Sequence, residues 1–215
     1  MIKFITTIFL LTFYFALKAQ STSSKVFIGV EAGPSIVAIH GIKLIEFRPR
    51  LAYTLGMNMQ FKLCDRIDLK TGISYQEKGG NNKVYPADEF GNFAGEYIDR
   101  IYHNFLVVPA IACVNFGSED VFFSLNGGLF MGLRFSSKTE SDNPYHFESQ
   151  TEYKPYEFGF IIYPGFNFEL GDKYIFGLDL KTNIGFTDLF KHSYGNDSKL
   201  KTFSFAPTVN LKYKL

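Results

Sequence analysis

Four histidines and two cysteines are the first places to look for chemistry in this 215-residue chain. His40, His103, His146 and His192 could hold a metal or move a proton. None has another histidine or cysteine two or four positions further on, and Cys64 and Cys113 match no zinc spacing and no disulfide framework. The expectation is four solvated histidines in long loops or at the strand ends beside them, and two unpaired thiols. His192 and Ser193 could form a base and a nucleophile, but they lie in a loop rather than on a strand. There is no glycine-rich phosphate loop. We expect no catalytic residue, no metal and no cofactor.

Two sets of side chains remain. Glu31, Lys70, Arg134, Glu157, Asp179 and Lys181 each sit on the polar side of an alternating segment. If that side is enclosed, the six must neutralise one another, because an isolated buried charge is costly. Tyr85, Phe90, Phe93 and Tyr97 lie among charges in the segment Gly79–Ile101, a mixture that suits protein contact.

The elements that must position these residues are strands. Residues 51–61 oppose Leu51, Tyr53, Leu55, Met57, Met59 and Phe61 to Ala52, Thr54, Gly56, Asn58 and Gln60. The same period of two, the mark of a strand with unlike faces, runs through 25–37, 67–76, 121–136, 156–170, 174–186 and 202–215. Residues 102–116 are apolar on both faces, with Val114 and Phe116 leaning towards even-outward. VFFSLNGGLFMGLRFS (Val121–Ser136) offers a turn at Asn126-Gly127 and a GxxxG spacing, yet it reads best as one strand. A turn would leave arms too short, and a helix would scatter Arg134 and Asn126 among phenylalanines. That makes eight strands.

Short turn-rich links at Leu63–Arg66, Gly117–Asp120 and Gly171–Lys173 recur about 54 residues apart on one side. Long polar segments at 38–49, 79–101, 137–155 and 188–201 connect the other. An all-β, eight-stranded antiparallel up-and-down transmembrane β-barrel has this layout, with both termini and the short turns periplasmic. A soluble barrel would alternate too. Three features favour lipid. The apolar face carries no charge between strand ends. Its aromatics gather at two levels around an aliphatic band, as two membrane interfaces require. The other face is rich in Gly, Ser and Asn, as a cramped interior would be. Pro34, Pro164 and Pro207 on the apolar face and Pro109 in mid-strand would remove ladder donors, so bulges or nearby strand ends are expected there.

Composition agrees. The chain has 25 Phe and 13 Tyr but no Trp, and 22 basic against 21 acidic residues, so nothing suggests nucleic acid. Residues 1–19 read as a signal peptide: Lys3, the apolar run Phe4–Leu17, then Ala16 and Ala19. Residues 20–215 then form one barrel domain, and no other apolar run approaches the about 20 residues a spanning helix needs.

Several segments resemble the PorT-like group of bacterial outer-membrane β-barrel proteins across nearly the whole mature chain. They are IGVEAGPSI (Ile28–Ile36), GISYQEKGG (Gly72–Gly80), FLVVPAIACVNF (Phe105–Phe116), SLNGGLFMGL (Ser124–Leu133) and GLDLKTNIGFTDL (Gly177–Leu189). Tyr75–Gly79 is the most specific of these. The group often has an acidic residue before the strand-four proline, where Val107 and Val108 stand here. The resemblance implies a fold and a location in the outer membrane, and no single activity. The expectation is a non-enzymatic barrel that touches outer-membrane lipid and presents four loops to a ligand or to other envelope or secretion proteins. A small lipid-modifying enzyme and a narrow channel are the alternatives.

Overall fold

The computed structural model describes residues 26–41, 47–85, 95–118, 120–142, 153–189 and 199–215. The expected signal peptide and the positions Phe90, Phe93, His146 and His192 lie outside the described residues.

Alternation becomes a closed wall. The elements are β1 (Val26–His40), β2 (Phe47–Arg48), β3 (Arg50–Lys62), β4 (Ile67–Val84), β5 (Tyr97–Gly117), β6 (Val121–Ser141), β7 (Tyr156–Leu170), β8 (Tyr174–Gly185) and β9 (Lys201–Lys214). Eight long strands pair antiparallel in the circular order β1-β3-β4-β5-β6-β7-β8-β9, with β9 returning to β1. The two-residue β2 adds only to the far end of β4. Among the eight long strands every neighbour in space is a neighbour in sequence apart from the closing pair, which is the up-and-down meander. VFFSLNGGLFMGLRFS is a single stretch of β6.

The apolar face points outward. Leu178 is 46% exposed and Thr208 only 3%, the reverse of a soluble barrel, so the hydrophobic residues coat the outside and the polar ones fill the lumen. In β5 the outward residues are Leu106, Val108 and Phe116, whereas Phe105, Val107, Ile111 and Cys113 are buried. That strand lacked contrast because the lumen beside it is itself apolar. Rings meet across the strands at both ends of the outer band. Tyr53 stacks on Tyr75 with centroids 5.3 Å apart, and Tyr75 lies 6.1 Å from Phe135. At the other end Phe116 meets Phe123 at 6.4 Å and Tyr174 meets Tyr213 at 5.3 Å.

The short links are where the chain turns, and Gly171 supplies the positive φ of 66° that the Gly171–Lys173 turn needs. Both described chain ends lie on this side, where the Leu215 N–H donates to the Val26 carbonyl at 2.9 Å.

The prolines behave differently from expectation. The register carries straight through all four without a bulge, and each faces a short gap in one ladder instead. Pro34 and Pro207 fall opposite each other in the gap between Ala32↔Val209 and Ile36↔Phe205. Two missing donors thus cost a single interruption. Pro164 faces a gap in β7–β8, and Pro109 faces one in β4–β5. Among the described residues the register shifts in β5–β6, between Asn104 and Phe105, which leaves Phe135 as the extra residue on β6.

The barrel is also taller on one side than the alternation indicated. Residues 79–84, 97–101 and 137–141, expected as loop, are strand. Asn81 pairs with Arg100, Val84 with Tyr97, and Asp99 with Ser141. β7 stops pairing with β6 at Leu133↔Tyr156, so β4, β5 and β6 continue as a three-stranded sheet beyond the rim.

Candidate functional site

The lumen has two storeys. The lower and middle one is built on inward residues of β1, β3, β4, β5, β7, β8 and β9. Lys70 Nζ lies 3.2 Å from Glu31 Oε2 and 3.7 Å from Asp179 Oδ2, and Lys181 Nζ donates to Glu31 Oε1. Asn58 donates to Glu31 at 2.9 Å and Asn210 to Asp179 at 2.7 Å. The buried ring of Tyr163 is within 5.5 Å of Lys70 Nζ and 5.4 Å of Lys181 Nζ, within reach of cation–π attraction. Nearer the short turns, Lys212 donates to Gln60 at 3.0 Å and Asn167 at 3.2 Å, while Gln60 and Asn115 each donate to Asp68 at 2.6 Å. Phe27 and Ile175 are buried at that end.

The upper storey is apolar. Phe105, Val107, Phe130 and Ile161 pack across the lumen, with Ile39, Ile101, Leu189 and Leu200 in the same cluster. One ion pair crosses it. Lys78 Nζ lies 2.6 Å from Glu157 Oε2, both side chains are sealed from solvent, and Thr202 Oγ1 donates to Glu157 Oε1. The ammonium sits 4.4 Å above the Phe130 ring and 5.3 Å from Phe105. Inward glycines make the room: a Cβ at Gly185 would collide with Glu157, and one at Gly159 with the Phe130 ring.

Of the six charges read from the sequence, Glu31, Lys70, Asp179 and Lys181 meet in one cluster and Glu157 pairs elsewhere. Arg134 joins neither. Its Nη2 donates to the Tyr153 carbonyl at 2.5 Å and its Nε to the Lys154 carbonyl at 3.2 Å. The parity of Arg134 is inward, but it sits at the rim where β6 parts from β7, above the carboxylates. Three lumen charges were not among the six: Lys78, Asp68 and Lys212. Their polar-face parity was the available signal for Asp68 and Lys212. Lys78 lies in YQEKGG, just past the last apolar outward residue, where the period fades.

His103 is a further departure. It is fully buried on β5, with Nδ1 2.9 Å from Ser137 Oγ and its ring edge-on to Tyr153 at 4.5 Å. The shift at Phe135 brings Ser137 opposite His103; without it Ser136 would face the lumen. The Nε2 atom has no hydrogen-bond partner among the described residues. His40 is exposed at the end of β1. No group of three metal-ligating side chains occurs among the described residues. Cys64 is exposed and Cys113 buried, both free thiols.

On the projecting sheet, Arg100 makes a two-point pair with Asp142, each contact 2.9 Å, and Lys138 meets Glu140 at 2.6 Å. Tyr85 is exposed just past the end of β4, and Tyr97 is half-buried at the start of β5.

A family model described as outer membrane protein beta-barrel domain matches residues 18–191. Among solved structures, Neisserial surface protein A is similar at 12% identity and a TM-score of 0.48, over 88% of this chain and 97% of that one. OprG of Pseudomonas aeruginosa is similar at 12% identity and 0.43, over 89% and 95%. Ail, the attachment invasion locus protein of Yersinia pestis, is similar at 9% identity and 0.41, over 88% and 98%. No curated protein matches the chain.

Proposed function

Because the chain belongs to the outer membrane protein beta-barrel domain family and so resides in the bacterial outer membrane, we propose that it is a non-enzymatic display barrel. Its working surface is the sheet of β4, β5 and β6 beyond the rim, together with the loops at that end. The observation that carries this reading is the filled lumen. Among the described residues, cross-lumen ion pairs below and the Phe105–Phe130–Ile161 layer above occupy the space that a passage or a reaction chamber would need, as expected when eight strands enclose only enough room for side chains. A wall around a filled lumen serves best by what it holds outside.

In this reading the leader at residues 1–19 directs export. The short turns and both ends face the periplasm, and outer-membrane lipid covers the outward apolar band. The partner is another envelope protein, met by Tyr85 and Tyr97 and by Phe90 and Phe93 between them; nucleic acid has no role. The Tyr75–Gly79 segment supports placing the chain in the PorT-like group. Deleting residues 85–96 and closing the β4–β5 hairpin leaves the barrel migrating differently with and without boiling, and removes envelope crosslinks of the intact protein. An unchanged crosslink pattern would count against the display reading.

A lipid-modifying activity is the second reading, favoured by the His103–Ser137 contact at the rim. The sealed imidazole and its unpartnered Nε2 weigh against it, since a base needs access and an orienting group. Unchanged lipid profiles in a knockout would dismiss it.

A further inference from the structure

The sheet that projects beyond the rim has two edges, and the chain treats them differently. On the β4 side, β2 lies along the edge, pairing Phe47 with Asn82 and Arg48 with Asn81. On the β6 side, the Arg134 N–H donates to the Pro155 carbonyl at 2.7 Å. Past that bond β6 pairs only with β5 among the described residues. Phe135, Ser136, Ser137, Lys138 and Thr139 are all exposed.

The ladder decides which peptide groups this edge presents. β5 and β6 stay in register from Asn104↔Ser136 to Asp99↔Ser141, and the Asp142 N–H donates to the Ile98 carbonyl at 3.3 Å. Hydrogen-bonded and non-hydrogen-bonded pairs alternate in an antiparallel ladder. Glu140 and Lys138 therefore bond to Arg100 and Tyr102, whereas Thr139 and Ser137 turn their N–H and C=O groups away from β5. Donor–acceptor pairs two residues apart along one line are matched by an extended backbone. Lys138 and Glu140 share one face beside them, at the positions where a strand laid on this edge brings its side chains closest. Their mutual contact is exposed and contributes little, so both are open to new partners. Lysine on an edge repels many strands; the glutamate two residues on makes that repulsion selective. An antiparallel strand must offer Glu to Lys138 and Lys to Glu140, which is the sequence Lys-x-Glu.

We propose that the β6 edge at Ser137 and Thr139 is a strand-addition site, entered by the envelope partner as an extended Lys-x-Glu segment running antiparallel to β6. This rests on the display reading and gives it a binding mode. A second copy in the same membrane is not that partner. Its β6 would run parallel, and a two-fold axis along the membrane normal would set Lys138 against Lys138. A free peptide has no such restriction, and the chain's own Phe135–Asp142 sequence carries the required pattern.

The test is amide exchange followed by NMR on the detergent-purified full chain, with a synthetic peptide of the Phe135–Asp142 sequence as probe. Without peptide, the Ser137 and Thr139 amides should exchange fast and those of Lys138 and Glu140 slowly. With the peptide at about ten times its dissociation constant, Ser137 and Thr139 should slow about tenfold. A peptide with its Lys and Glu exchanged should leave them fast. Thr139→Pro removes an edge N–H and spares the β5 ladder, since proline is tolerated where its nitrogen faces away from the sheet. It should abolish the slowing at Ser137 and the envelope crosslinks, with the heat-modifiable band unchanged. Ser137 and Thr139 amides already slow in the free protein would overturn the proposal, because the edge would then be filled by the chain itself. Equal slowing by the exchanged peptide, or in Thr139→Pro, would also sink it. Crosslinks lost on deleting residues 85–96 beside a peptide that slows nothing would leave the display reading standing and remove strand addition alone.

Discussion

The two storeys of the lumen solve the same problem in opposite ways. Below, each charge shares several partners: Glu31 has Lys70, Lys181 and Asn58, and Asp179 has Lys70 and Asn210. Above, Lys78 and Glu157 have essentially each other, with Thr202 on the carboxylate and aromatic rings under the ammonium. Redundancy cushions the loss of one member. A lone pair in an apolar layer has no such reserve, because removing one partner strands a desolvated charge. The difference teaches that burial alone does not rank these residues; the number of alternative partners does.

The largest effect should come from breaking the lone pair. Lys78→Met leaves Glu157 unpaired and should cost about 3–5 kcal/mol, read as a lower urea midpoint for loss of the heat-modifiable band. Adding Glu157→Leu should recover much of that loss, since no charge is then stranded; a double variant as unstable as the sum of the singles would break the comparison. Next in size is a change in the wall around both storeys. Leu178→Arg places a charge against acyl chains at a cost of about 2–4 kcal/mol and should impair insertion, whereas Thr208→Ser inside should insert normally. Lys181→Met, in the redundant storey, should cost less than Lys78→Met, about 1.5–3 kcal/mol, because Glu31 keeps Lys70 and Asn58. Equal losses for Lys78 and Lys181 would refute the role given to redundancy. The smallest effect lies outside the lumen. Arg100→Gln removes an exposed pair on the projecting sheet and should leave the unfolding midpoint unchanged, as solvent-exposed ion pairs contribute little.

How far these features could be read in advance varies by residue. Leu51 to Phe61, Tyr156 to Leu170 and the turn at Gly171–Lys173 were legible because lipid on one side and a packed lumen on the other force unlike faces on consecutive residues. The same rule failed at Lys83, Tyr97 and Ser137, which continue the ladder where no hydrocarbon selects a face, so a strand there carries no period. It was mute at Phe105 and Val107, apolar inward as well as outward. His103 reads as a solvated residue beside a loop, whereas the shift at Phe135 sets Ser137 opposite it and Tyr153 packs against its ring.

What the sequence by itself determined is therefore the wall: eight strands, their facing, their short turns and the absence of charge on the outward side. These are local requirements, since each residue meets lipid or lumen according to its own parity. Which charges meet was decided only by closure of the barrel. Glu31 finds Lys181 and Lys78 finds Glu157 across the lumen, and Arg134 misses both sets, because height along the axis depends on the stagger accumulated through every intervening strand pair. Side-chain type and parity carry no record of that sum.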